Sequence, residues 1–131
     1  MCIKLIEYQG IFYNNSIAFY LAGMVSPNER SCFTGLSEKE AIRELQKHKI
    51  DDVYWHDYEF EWVAIMISVL VTQRVMDWNF NKYVGFFRNY LFDMLGEYLA
   101  TGNIDYSKYR EKYYKEAEAE CTLMRERDSF F

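Results

Sequence analysis

The strongest periodicity in the chain lies in residues 80–100, where Phe80, Tyr83, Val84, Phe87, Tyr90, Leu91, Met94, Leu95, Tyr98 and Leu99 recur at spacings of three and four. That period predicts a helix with one apolar face, and Gly102 supplies its stop. Phe87, Leu91, Met94 and Leu95 occupy the centre of the stripe and are expected in the core. Upstream, residues 60–78 are apolar on nearly every side, as in a central helix with neighbours all round it. Val63, Ile65, Ile67, Val69 and Val71 also alternate as a buried strand would, but the span exceeds a usual strand and no turn residue bounds it, which favours helix. A third long helix is expected over residues 105–127. Ile104, before its cap, is placed to pack on Tyr109, and Tyr106, Tyr109, Tyr113, Ala117, Cys121 and Met124 share one face. Glu111 with Lys115 and Lys112 with Glu116 are spaced for weak surface pairing.

Residues 36–49 predict a shorter helix whose start is written out. Ser37 can cap its free amides, Glu40 can reach back, and Leu36 can pack on Ala41, with Ile42 and Leu45 as a narrow buried stripe. Residues 50–58 show no helical period and are expected to be a connection with short extended structure. The first 25 residues allow two readings. Asn14-Asn15 can turn between strands 3–13 and 17–21, or Asn15 or Ser16 can cap a helix carrying Ile17, Tyr20, Leu21 and Met24. The balance tips slightly towards β structure. No repeat, linker or composition shift divides the chain. The expected architecture is a single mainly α domain over residues 1–131, with α+β as the alternative: a small bundle of three long helices plus a short one, and an N-terminal β-hairpin on one side.

Composition narrows the functional classes. Twenty acidic against fifteen basic residues, with no basic run, make direct binding of nucleic acid unexpected, and the carboxylates are too dispersed to copy the charge density of a duplex. The longest apolar stretch, residues 62–71, falls well short of the roughly 18 residues that a membrane span requires. Residues 1–8 carry Lys4 and Glu7, and no apolar block with a cleavage site follows, so a signal peptide is not expected. Cys2, Cys32 and Cys121 are odd in number and far apart, which suits reduced thiols in the cytoplasm.

Chemistry-bearing residues are densest at His48, Asp51, Asp52, His56, Asp57, Glu59 and Glu61. Two histidines eight residues apart match no metal-ligand spacing, so no metal and no cofactor are expected, and Cys32 with His48 or His56 forms no local nucleophile–base motif. A non-enzymatic role is favoured over a small metal-dependent or Cys/His hydrolase built on residues 48–61. The feature that asks for explanation is the aromatic load of 12 Tyr, 10 Phe and 3 Trp. Tyrosine combines large contact area with a polar tip, which suits interfaces. The expected binding residues are therefore Tyr109, Tyr113 and Tyr114 with Glu116, Glu118 and Glu120 around them, and secondly Tyr54, Trp55 and Asp57. The corresponding function is that of a small acidic inhibitor or immunity-type protein blocking a larger basic protein, by analogy of size and charge with toxin-immunity proteins and phage anti-defence inhibitors. A structural homodimer is a further alternative.

Overall fold

The structure, a computed structural model, describes residues 4–129; Cys2 and the first residue of the expected 3–13 strand lie outside it. The chain is mainly α with a small β part. Strands β1 (Ile6–Tyr8) and β2 (Ile11–Tyr13) form an antiparallel hairpin, followed by helices α1 (Ser16–Ala22), α2 (Glu38–Leu45), α3 (Asp52–Thr72), α4 (Leu91–Thr101) and α5 (Tyr106–Ser129), with 3-10 turns at Pro27–Phe33, Asn79–Tyr83 and Gly85–Tyr90.

Both N-terminal readings hold in part, and the expected turn is in the wrong place. The reversal occurs at Gln9 and Gly10, whose φ angles of 51° and 79° are both left-handed, the requirement of a tight two-residue hairpin. Asn15 instead caps α1 by accepting the Ala18 amide at 2.7 Å, while its own amide donates to the Leu36 carbonyl at 3.0 Å. The hairpin's outer edge is held by a side chain, because Gln73 both accepts from the Glu7 N–H (3.0 Å) and donates to the Glu7 carbonyl (2.6 Å). This amide completes the ladder that a third strand would otherwise supply.

The capping box at α2 is present as expected, with Ser37 and Glu40 exchanging 3.0 and 3.2 Å hydrogen bonds. Ala41 is the residue of α2 that is fully buried, with Ile42 and Leu45 packed partly against the core. Residues 50–58 are not a connection: Asp51 accepts the Tyr54 amide at 3.0 Å and starts α3 at Asp52. The helical period is faint there because residues 51–54 are exposed, leaving no buried stripe to reveal the turn. The acidic residues favour the positive end of the helix.

The expected 80–100 helix is broken. Gly85 takes φ 75°, which ends helical continuity, and only Leu91–Thr101 is α-helical. Arg88 spans the break, donating to the carbonyls of Asn81 (2.9 Å) and Lys82 (3.1 Å). Phe87 and Met94 enter the core as expected, but Leu91 and Leu95 are only partly buried. Gly102 closes α4 in the left-handed conformation.

The core gathers around Trp62, which is fully buried on α3. Tyr8 and Phe19 meet its indole edge-on at 5.5 and 5.2 Å, and the guanidinium of Arg30 lies 4.5 Å above it. Arg30 is itself buried and donates to the Ala22 carbonyl at 3.2 Å, so its charge is held by an aromatic face and a backbone dipole. Gly23 stands directly against the indole; a β-carbon there would lie 2.2 Å from Nε1.

Candidate functional site

Two segments far apart in sequence, the start of α3 and the middle of α5, are brought into one surface. Arg110 donates to the Asp57 carbonyl at 3.2 Å, the Tyr114 hydroxyl to the His56 carbonyl at 3.4 Å, and the His56 and Tyr114 rings meet edge-on at 5.2 Å. One turn deeper, Tyr113 packs on Phe60 at 5.4 Å and on Phe87 at 6.3 Å. The two groups of binding residues expected from sequence therefore adjoin.

They are not equally accessible. Tyr109 is 7% exposed and its hydroxyl donates to the Asp93 carbonyl at 3.2 Å, so it belongs to the seam between α4 and α5. Tyr113 and Tyr114 are half-buried, as is Trp55, which meets Tyr20 edge-on at 5.6 Å. Glu116 accepts the hydroxyl of Tyr90 and helps hold α5 in place. Glu118, Glu120, Asp57 and Tyr54, the last 51% exposed, present their side chains to solvent.

Beyond Ala117 the described part of the helix is exposed. Up to that point burial on α5 recurs every three or four residues, and then all nine residues 118–126 are exposed. Leu123 and Met124 are 60% and 66% exposed, and Cys121 is exposed beside them. An open, shallow depression along this stretch is lined, among the described residues, by Tyr114, Ala117, Glu118, Cys121, Thr122 and Arg125 of α5. The apolar line Tyr113, Ala117, Cys121 and Met124 thus continues the buried stripe into water. Sequence periodicity predicted that line but could not say where its cover stops.

No family model matches the chain, and comparison with the curated proteins and with the solved structures finds no match either. No described helix is long and apolar enough to cross a membrane.

The 48–61 segment does not converge into a catalytic or metal-binding group. Asp51 is spent on its cap, His56 faces Tyr114, and His48 turns away towards Glu29 and Glu44. Glu59 faces inward, where its carboxyl is hydrogen-bonded to the phenolic oxygen of Tyr20, and the same oxygen lies 3.1 Å from the Tyr83 carbonyl. Tyr20 has one proton for two acceptors. A protonated Glu59 resolves this by donating to the phenolic oxygen while Tyr20 donates to Tyr83. Burial pushes the Glu59 carboxyl up to about 7, an effect only partly offset by the Tyr20 hydrogen bond. Tyr20 itself is fully buried and shifted far above the usual phenol range, by burial first and Glu59 second, so it does not ionise. The pair joins α1 to α3 beneath the surface.

Proposed function

We propose that the chain is a non-enzymatic protein-binding domain that uses the outer half of α5, together with the adjoining start of α3, to engage and block a basic protein. The observation that carries this reading is the run of nine exposed residues on α5 that extends a stripe buried elsewhere. Helical segments in water draw most of their stability from packing an apolar face, so a stripe that continues past its own core is suited to a partner's surface. Charge selects the partner's character: residues 116–126 hold four glutamates and one arginine, within a chain of net charge −5. Such a field speeds encounter with a basic surface and disfavours acidic ones. Exposed Cys32 and Cys121 fit a reducing, cytoplasmic setting.

The test is capture from the native host with the parent chain and Leu123→Glu/Met124→Glu side by side, at two salt concentrations. The expected result is a basic protein retained by the parent, lost from the double variant and weakened by salt. A capture profile identical for both chains would place the interface elsewhere. Self-association is favoured by a different observation, the exposed Phe92 (82%) and Leu99 (66%) one heptad apart on α4. Light scattering of the parent and of Phe92→Glu separates this case, because a dimer built on α4 would dissociate in that variant and leave α5 free to bind.

A further inference from the structure

Local spacing gives no metal motif, yet the fold assembles a ligand set from two elements. Sγ of Cys32, on the Pro27–Phe33 turn, a carboxylate oxygen of Glu44 on α2, and a ring nitrogen of His48 just beyond α2 all lie within 4.8 Å of one another. Tetrahedral zinc bonds of about 2.0–2.3 Å place neighbouring ligand atoms roughly 3.3–3.8 Å apart, so modest side-chain rotation about these positions suffices. The set mixes thiolate, imidazole and carboxylate, which suits a borderline divalent cation.

The surroundings of His48 point the same way. Its side chain is only 8% exposed, yet both ring nitrogens face carboxylates: Nε2 is 2.7 Å from Glu44 and Nδ1 is 3.3 Å from Glu29. A neutral imidazole has one N–H and cannot serve both. Glu29 is oriented in turn by the Ser26 hydroxyl at 2.6 Å. A histidine with one nitrogen towards a group of donors and the other N–H held by a carboxylate is the arrangement that fixes a metal-binding tautomer. The same arrangement argues against a Cys32–His48 nucleophile pair, since neither nitrogen is left to accept the thiol proton.

We infer that Cys32, Glu44 and His48 bind one zinc ion, with Glu29 holding Nδ1–H and the ion replacing the proton that now joins Nε2 to Glu44. Binding releases that proton and the Cys32 thiol proton to solvent. Three protein ligands leave a fourth position for water, and the ion fastens the Pro27–Phe33 turn to the end of α2. This site lies apart from the α5 surface and stands or falls independently of the proposed function.

Titration with zinc alone, by calorimetry and by melting, is expected to show one equivalent bound and a raised melting temperature. Cobalt substitution adds a thiolate-to-cobalt absorption band. Cys32→Ser should abolish the band, Glu44→Gln and His48→Gln should each weaken affinity at least tenfold, and Glu29→Gln about tenfold, as such outer partners generally do. A chain with Cys2 and Cys121 both replaced by serine should bind as the parent does. Zinc should also slow alkylation of Cys32 in that double-serine chain, a readout that needs no ligand variant to fold. The inference is overturned if the parent binds no stoichiometric zinc, if the double-serine chain loses the site, or if zinc leaves the alkylation rate unchanged.

Discussion

The region around Trp62 and the outer half of α5 are built from the same kinds of residue and end in opposite states. Around Trp62, which is fully buried, Tyr8, Phe19 and Arg30 pack on the indole, and even a glycine is set against it. On α5, a stripe of the same apolar character runs on through exposed Cys121 and Met124, and the described residues lining its depression all lie on α5. Apolar surface sealed in the first region stabilises the fold; left open in the second, it gives nothing to the isolated chain and is available to a partner. The difference lies in what the remainder of the chain covers.

Substitutions should divide along that line. Trp62→Ala is expected to cost about 3–5 kcal/mol, the range for a fully buried aromatic, and chemical denaturation of the variant measures it. Gly23→Ala should come next at roughly 1–3 kcal/mol, because a new methyl group must displace an indole that cannot retreat. A variant as stable as the parent would show that this contact is looser than the geometry indicates.

Glu59 gives a smaller effect with a defined sign. Its carboxyl sits at about 7 in the fold, against roughly 4.3 when unfolded. The folded state therefore holds the proton more tightly. The associated stability is complete below the unfolded value and is lost as pH rises through the folded one. Glu59→Gln keeps a donor towards the Tyr20 oxygen without the ionisation, so its melting temperature should exceed the parent's at pH 8 by a few degrees and vary less between pH 5 and 8. Equal slopes in the two chains would mean that Glu59 is ionised in the fold. His48 tilts the profile in the same direction. Burial works to lower its value, but hydrogen bonds to the Glu44 and Glu29 carboxylates outweigh that and raise it; its share is lost as pH climbs through that raised value.

The smallest stability effect belongs to α5. Leu123→Glu/Met124→Glu should leave the free energy of unfolding within about 0.5 kcal/mol of the parent, as exposed substitutions do. A loss of several degrees in melting temperature would mean that the isolated chain covers this stripe after all.

How much of this was readable from sequence depends on whether a pattern is local. The capping box of α2, the stop at Gly102 and the stripe of α5 rest on residues a few positions apart, and all three appear. The Gln9-Gly10 turn was hidden because Asn14-Asn15 offers a stronger turn signal, and Asn15 serves as a cap instead. The α3 start at Asp52 was hidden because its first turn buries nothing. The break at Gly85 is not legible because aromatic residues keep a helical period across it, whereas the backbone follows the glycine. At the candidate surface, the start of α3 and the middle of α5 were each visible, but their meeting through Arg110 and Tyr114 is tertiary. The grouping of Cys32 with Glu44 and His48 likewise depends on a turn folding back on a helix end.

The central claim is that the exposed part of α5 beyond Ala117 is a binding element, and amide hydrogen exchange along this one helix tests it most directly. In the isolated chain, amides of residues 106–117 should exchange slowly and those of residues 118–126 fast, since only the former lie on a packed face. In the captured complex, residues 118–126 should become protected while the Trp62 region stays as it was. Protection of residues 118–126 that is equally high in the free chain and the complex, or equally low in both, would contradict the account.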